Sequence, residues 1–353
     1  MIMEDFKYQG LLSGCAKRLI ILSTVLLSSF ANSDSKNSLA GQSHHQLVQR
    51  YQVQSSVLDQ SRAEFWQPVE SSQAKLWVIY TENLLIKRVI DFQREQIRIS
   101  YQGESLEKST PSSIQRDTEK FLLVSFEKAY RADDLLPVVL EGNPMLRQPL
   151  LNLTKSQLHR LYSTASFKRE KGLLGDILTI TIDLPQGNIK RRAASLQPIV
   201  ERLAKESDVS PALAMAIIHH ESAFNLLAST PEAKLGLMLI APKQVDEIDA
   251  KVFYQPELNI EYGIKQLAKL EDQLSGIEDP QARQLCVIAA YRVGVHEVAR
   301  VFTGRSSLSQ ALPLINQLSA RQVRGQLRSQ LQVNNSALYV NQVSSFLALY
   351  DEW

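Results

Sequence analysis

The chain has 353 residues, of which 44% are hydrophobic and 22% are charged, and its formal net charge is +2. This composition is typical of a folded protein and excludes an intrinsically disordered chain. The nearly balanced charge lacks the excess of basic residues that is typical of nucleic-acid-binding proteins, so we predict no nucleic-acid partner. A chain of this length is long enough for two domains with separate cores.

The first residues have the pattern of an export signal. A basic pair precedes the apolar run 19–30, and small residues fit a cleavage after Ser33. The run is short for a transmembrane helix. We therefore predict a signal peptide at 1–33 and export to the periplasm. A retained membrane anchor and lipidation at Cys15 are the alternatives, and lipidation is disfavoured because the apolar run follows that cysteine instead of preceding it.

The next two segments predict a polar tether at 34–69 and an α+β domain at 70–187. Alternating apolar and polar residues indicate half-buried strands, and the polar "QREQ" indicates a hairpin between two of them. The predicted strands are 75–80, 84–92, 96–101 and 176–185. The predicted helices are 117–130, capped by Asp117 or Thr118, and a shorter one around 155–165.

From 188 to 353 the spacing of apolar residues is helical, which predicts an all-α domain after the α+β domain. Ser210 and Pro211 form a strong helix start, with a capping residue followed by proline at the first helical position. The predicted helices are 189–206, 211–224, 242–249, 257–274, 280–292, 295–303, 308–319 and 335–349. Cys286 lies within an apolar helical run, which predicts a buried and inert thiol.

The stretch "AMAIIHHESAFNLLASTPEAKLGLMLIAP" (214–242) places Glu221 in the last turn of an apolar helix. There a negative charge opposes the helix dipole, and apolar neighbours also raise the pKa of the carboxyl. A raised pKa suits a general acid near neutral pH. The alternative is a surface glutamate without a role. His219 and His220 point about 100° apart on a helix, so they predict one core residue, one cleft or surface residue, and no metal site.

Several motifs together resemble the soluble-lytic-transglycosylase (SLT) type of lysozyme-like domain. They are "ESAFN" from Glu221, "GLM" from Gly236, "PELNIEYG" from Pro256, the pair Ala290-Tyr291, and Tyr339 on a late helix. The segment 70–186 resembles the N-terminal domain of the membrane-bound lytic murein transglycosylases of type C. The resemblance covers most of residues 70–350.

This resemblance implies a peptidoglycan lytic transglycosylase. Glu221 would protonate the glycosidic bond between N-acetylmuramic acid (MurNAc) and N-acetylglucosamine (GlcNAc), then take the proton of the muramyl 6-hydroxyl, which closes a 1,6-anhydro ring. The implied partners are peptidoglycan glycan strands, with other cell-wall proteins as a further candidate, and no cofactor is expected. The implied substrate-binding residues are Ser222, Met238, Leu239, Tyr291, Arg292 and Tyr339.

The sequence departs from the family pattern at three positions. Leu239 replaces a glutamine, Arg292 replaces an asparagine, and Asn335 replaces an acidic residue. Losing one substrate hydrogen bond costs about 1–3 kcal/mol, or roughly ten- to a hundredfold in rate. Arg292 would occlude the site, or it would disarm the acid by pairing with Glu221, or it would point away and bind anionic peptide stems. Two hypotheses stay open: a weakly active lytic transglycosylase, favoured by the retained Glu221, and a degenerate relative that binds or scaffolds without cutting.

Overall fold

A computed structural model describes residues 44–81, 83–133, 147–241, 255–331 and 336–352. The predicted signal peptide, the first part of the predicted tether, the predicted helix 242–249 and Asn335 lie outside the described residues. Within these ranges, no helix combines the length and the apolar character needed to cross a bilayer. An α+β region (70–187, the sheet region) is followed by a helical region (188–352).

The sheet region contains a five-stranded antiparallel sheet with the strand order β1-β2-β3-β5-β4. The predicted strands are confirmed to within two residues, and the predicted hairpin places Asp91 opposite Gln96. Strand β4 was not predicted, because "SFKREKG" lies exposed at the sheet edge and lacks apolar alternation. The strands are β1 (Leu76–Thr81), β2 (Ile86–Asp91), β3 (Gln96–Gln102), β4 (Ser166–Gly172) and β5 (Gly175–Asp183).

Five helices accompany the sheet in the described part of the first half of the chain. They are α1 (His44–Ala63), α2 (Gly103–Glu107), α3 (Pro111–Leu122), α4 (Phe126–Ala132) and α5 (Lys155–Ser163). Helix α1 lies in the segment interpreted as a tether, where the polar sequence gave no amphipathic pattern. Helix α5 confirms the helix predicted around 155–165.

The single helix predicted at 117–130 is wrong, because the chain forms α3 and α4 there. Thr110 caps α3 by accepting a hydrogen bond from the Ser113 backbone N–H at 3.2 Å, and Ser125 caps α4. A serine cap between two apolar stretches therefore starts a new helix instead of continuing the first. Asp117, predicted as a cap, lies inside α3, where its carboxylate accepts two hydrogen bonds from Arg88.

The helical region is built around α7, whose residues 213–218 are all buried. Cys286 is also fully buried, and desolvation raises the pKa of its thiol to about 12, so the predicted buried thiol is confirmed. The helices are α6 (Asn188–Glu206), α7 (Pro211–Ser222), α8 (Pro256–Gln273), α9 (Pro280–Val293), α10 (Val295–Thr303), α11 (Leu308–Ile315), α12 (Ala320–Gln330) and α13 (Ser336–Tyr350).

Most of these helices were predicted, with one clear error at 308–319. Helix α11 ends at Ile315, and α12 begins after Ser319, whose hydroxyl accepts a hydrogen bond from the Gln322 backbone N–H. Helix α12 was not predicted, and it has a polar sequence in which only Val323 and Leu327 are buried.

Buried and half-buried hydrogen bonds join the helical region to the sheet region. The Arg192 guanidinium donates to the Phe92 carbonyl at 2.8 Å and to the Ala223 carbonyl at 3.3 Å. Desolvation lowers the pKa of Arg192 to about 10. The Asn225 side chain donates to the Ala74 carbonyl at 3.1 Å. The segment that follows Glu221 is therefore bound directly to the sheet region.

Candidate active site

Glu221 lies at the point where α7 ends abruptly. Ser210 and Pro211 begin the helix as predicted, with the Ser210 hydroxyl accepting a hydrogen bond from the Leu213 backbone N–H. At the other end, Ala223 and Phe224 have positive φ values of 49° and 61°, which turn the chain out of the helix. The Glu221 side chain is thereby held in the last turn and is only 5% exposed.

A tight turn at 236–239, the GLM turn, faces this helix end. Backbone hydrogen bonds in both directions join Leu235 to Ile240, and Gly236 and Leu239 adopt positive φ values of 78° and 47°. Asn259 on α8 binds the turn through two hydrogen bonds. Its amide oxygen accepts one from the Met238 N–H at 2.9 Å, and its amide nitrogen donates one to the Leu235 carbonyl at 3.0 Å.

Helix α8 comes close to the GLM turn because one of its residues has no side chain. A Cβ atom added to Gly263 would lie 2.3 Å from the sulfur of Met238, closer than atoms can approach. Met238 is itself fully buried. The "PELNIEYG" stretch therefore has a physical explanation: Asn259 bonds the turn, and Gly263 makes room for it.

A small cavity adjoins the Glu221 carboxylate, and it brings together five of the residues predicted from the sequence. Its described lining consists of Glu221, Lys234, Met238, Leu239, Gln266, Tyr291 and Arg292. Four of these residues also line an open cleft of about 730 Å³ formed mainly by α8, the end of α9 and the start of α10. Glu221 is the only carboxylate among the described residues that line either space.

The two predicted tyrosines approach the site from different helices. The Tyr291 hydroxyl donates a hydrogen bond to the Met238 carbonyl at 2.8 Å, which ties α9 to the GLM turn. Tyr339 on α13 lies close enough to Glu221 to favour its ionised form, although its hydroxyl makes no well-formed hydrogen bond within the described chain. Ser222 differs: its hydroxyl donates to the Ile218 carbonyl of its own helix, and its side chain is fully buried.

The electrostatics of the site raise the pKa of Glu221 above its ordinary value. Burial is the dominant influence and raises the pKa of its carboxyl. The Arg292 guanidinium, 3.8 Å from the carboxylate, acts in the opposite direction, as do Tyr339, Lys234 and Lys75. The sequence left open whether Arg292 pairs with Glu221 and disarms it. The pair is present, but desolvation outweighs it, so the pKa stays raised.

The two histidines before Glu221 are both half-buried, so neither is the core residue that the sequence predicted for one of them. The ring of His219 stacks on Phe346 with 3.7 Å between centroids, and its Nδ1 lies 3.0 Å from the Tyr350 hydroxyl. The Nε2 atom of His220 lies 2.9 Å from the Gln342 side-chain oxygen. Desolvation is the main cause that lowers the pKa of each ring to about 4, so both are neutral at pH 7.

Three residues of the site were not predicted from the sequence. Lys234 lies two positions before the GLM turn, and Gln266 follows Gly263 by one helical turn, so proximity and helical spacing could have indicated both. Lys75 immediately precedes β1, and its charge acts on Glu221 from the sheet region. No sequence pattern links it to the site.

Comparison with known proteins agrees with this geometry. Residues 198–312 match the family described as the Transglycosylase SLT domain. Membrane-bound lytic murein transglycosylase C of Pectobacterium atrosepticum is 28% identical over 296 residues, which cover 77% of this chain and 81% of that protein. Its namesake in Edwardsiella ictaluri is 28% identical, with 77% and 80% covered. The namesake in Serratia proteamaculans is 32% identical, with 52% and 54% covered. Residues 198–312 therefore form a transglycosylase SLT domain, and the chain as a whole is similar to membrane-bound lytic murein transglycosylases of type C.

Proposed function

We propose that this protein is an active peptidoglycan lytic transglycosylase, with Glu221 as its single acid and base. One observation carries the proposal: a buried carboxyl with a raised pKa lines a small cavity that shares four residues with an open cleft, and it is the only carboxylate among the described residues that line either space. The names of the relatives support murein, which is peptidoglycan, as the substrate. The substrate would be the glycan strand in the periplasm.

The reaction needs two proton transfers through one carboxyl group. Glu221 donates its proton to the oxygen that leaves as the 4-hydroxyl of GlcNAc, while the bond from that oxygen to C1 of MurNAc breaks. The Glu221 carboxylate then accepts the proton of the MurNAc 6-hydroxyl as its oxygen bonds to C1. The products are a free GlcNAc end and a 1,6-anhydro-MurNAc end, and no water is consumed. Most glycosidases use a second carboxylate instead.

The cleft provides the groups that bind a sugar polymer. Its volume of about 730 Å³ is sufficient for a ligand of several rings. Tyr262 and Tyr291 offer aromatic surfaces for sugars. Gln266 lines both the cleft and the cavity at Glu221, so we assign to it the amide that Leu239 cannot supply. Lys269 and Arg292 make the lining cationic, which favours the carboxylates of peptide stems.

Digestion of purified sacculi tests the proposal. The protein from residue 34 onward and its Glu221→Gln variant would be incubated with sacculi, and soluble products would be read by mass spectrometry. We expect wild-type products lighter by one water than those of lysozyme, and none above background from the variant. Reducing-end products would make the protein a hydrolase. Binding of both proteins without products would support the degenerate binder, a hypothesis that Leu239 and Arg292 keep open.

Restoring the family residue at position 292 should change the pH dependence of cleavage. Arg292→Asn removes the cation at 3.8 Å from Glu221, so the pKa of the acid should rise further. Because the acid then stays protonated to higher pH, the alkaline limb of kcat/KM should move upward. The control is Arg300→Asn, which removes an exposed cation paired with Glu297 on α10. A limb that stays in place in both variants would contradict this electrostatic role of Arg292.

A further inference from the structure

Lys75 belongs to a segment of the sheet region that is bound to the stretch following Glu221, and the backbone of this segment is fixed on both sides of the lysine. The Ala74 carbonyl accepts a hydrogen bond from the Asn225 side chain at 3.1 Å, and the Lys75 carbonyl accepts one from the Phe92 N–H at 2.9 Å. Asn225 belongs to the same "ESAFN" stretch as Glu221. The motif that carries the acid therefore also holds the segment that carries Lys75.

A second set of contacts fixes the same neighbourhood. The buried Arg192 guanidinium donates to the carbonyls of Phe92 and Ala223. Phe92 is the residue that binds the Lys75 backbone, and Ala223 lies two positions after Glu221. The segments next to the lysine and next to the acid are thus bound to one guanidinium, which fixes their relative position.

The Lys75 side chain is half-buried, yet it makes no hydrogen bond or ion pair with any described residue. Desolvation is the main cause that lowers the pKa of Lys75; Arg292 acts in the same direction, and Glu221 and Asp91 oppose it. Removing an ammonium from water without a bonded partner costs free energy. No ion pair with a described residue accounts for the half-buried position of Lys75. An electrostatic interaction with the Glu221 carboxylate does account for it.

We propose that Lys75 is an electrostatic positioning residue of the Glu221 site, which stabilises the carboxylate form of Glu221 between the two proton transfers. This inference rests on the proposed function. It also gives the sheet region a part in the reaction, since that region supplies the cation. Lys75 acts through Glu221 and is not required to touch the substrate.

The remaining groups that face the acid come from several elements, so the effect of Lys75 can be separated from theirs. They are Arg292 and Tyr291 on α9, Tyr339 on α13 and Lys234 before the GLM turn. Burial raises the pKa of both tyrosines well above the ordinary value, so they remain neutral. The neutral His219 and His220 lie on α7 itself, and Asp91 faces Lys75 from β2. Removing Lys75 leaves two cations in place and changes the site by one charge.

The first test is the pH profile of cleavage by Lys75 variants of the full chain. In Lys75→Met, the alkaline limb of kcat/KM should move to higher pH by about half a unit, as expected when one charge is removed from a partly solvated site. Lys75→Arg should keep the limb at its wild-type position. The matched control is Lys87→Met, which removes a half-buried lysine of the same sheet that pairs with Glu70 at 2.7 Å. The proposal would be overturned if the limb moved as far in Lys87→Met as in Lys75→Met, or if it moved in neither of these two variants.

The second test needs no enzymatic activity, so it separates this inference from the proposed function. Lysines of the wild type and of Glu221→Gln would be dimethylated with carbon-13, and Lys75 would be titrated by NMR. Since the Glu221 carboxylate favours the charged lysine, its removal should lower the pKa of Lys75. The control is Glu261→Gln, whose partner is the exposed Lys265. An unchanged Lys75 titration would overturn the role of Lys75; sacculi left intact by wild type would overturn only the proposed function.

Discussion

Replacing Glu221 with glutamine should lower the rate of product release from sacculi by on the order of 100- to 10,000-fold, the usual contribution of a general acid and base. Glutamine has nearly the same size, so the packing at the end of α7 is retained, but it has no proton to donate to the leaving oxygen. The rate would be measured from the soluble products over time. A loss of less than tenfold would mean that another group supplies the proton.

The same substitution should stabilise the fold at neutral pH. Burial raises the pKa of Glu221 in the folded state above the ordinary value of 4.5. The stability that the protonated acid contributes is therefore fully present below pH 4.5 and is lost as the pH rises through the folded-state pKa. Glutamine does not ionise, so the two proteins should differ little below pH 4.5, and the variant should gain stability above it.

Urea unfolding at acidic and neutral pH measures this gain. Glu257→Gln is the control, because Glu257 is exposed and its partner Arg202 is also exposed. The control should change the free energy of unfolding little at either pH. Arg292 keeps access to water after Glu221 is neutralised, since its side chain is 31% exposed. A Glu221→Gln variant less stable than wild type at neutral pH would contradict the expectation.

Replacing Asn259 with alanine should lower the free energy of unfolding by about 2–4 kcal/mol, because one buried backbone group loses its partner and a second loses one of its two hydrogen bonds. The N–H of Met238 is left without a partner, whereas the carbonyl of Leu235 keeps its hydrogen bond from the Ile240 N–H. The turn carries Leu239 and the carbonyl that Tyr291 binds, so cleavage should slow as well. Urea unfolding and the sacculus assay measure the two effects.

The chain offers a matched control for this substitution. Asn316 forms an equivalent pair of hydrogen bonds, accepting from the Glu278 N–H and donating to the Gly276 carbonyl, each at 3.0 Å. Asn316 is exposed, so water can replace the amide in Asn316→Ala. Its loss should stay near 1 kcal/mol without an effect on cleavage. Equal losses in the two variants would show that burial at the GLM turn does not matter.

The sequence predicted the arrangement of elements best where apolar periodicity was strong. The three leading strands and α6 to α10 lie close to their predicted positions. The elements that were missed, β4, α1, α2 and α12, have polar or exposed sequences, which carry little apolar periodicity. The prediction of one helix at 117–130 was wrong for a local reason. The capping residue Ser125 is a weaker signal in the sequence than the apolar run around it.

The site shows the same division. Glu221, Met238, Tyr291 and Arg292 lie together as the motifs predicted, because each motif fixes its own local geometry. Lys75 could not be predicted, since its position depends on how the sheet docks against the end of α7. The sequence predicted that the pKa of Glu221 is raised, but it did not predict whether burial or Arg292 has the larger effect on that pKa. Whether burial or Arg292 prevails depends on a distance that spacing in sequence does not give.

Arg192 and Asn225 of the helical region form hydrogen bonds with the sheet region, and these bonds limit where the chain can be truncated. A fragment beginning at residue 188 would retain every motif of the SLT domain, yet its buried guanidinium would lose the Phe92 carbonyl, and the Asn225 amide would lose that of Ala74. Ala223 and Leu227, which pack into the core of the sheet region, would meet solvent. The helical region therefore depends on the sheet region for part of its packing. Shortened or fused versions that contain the SLT domain should keep residues 70–187 of the same protein.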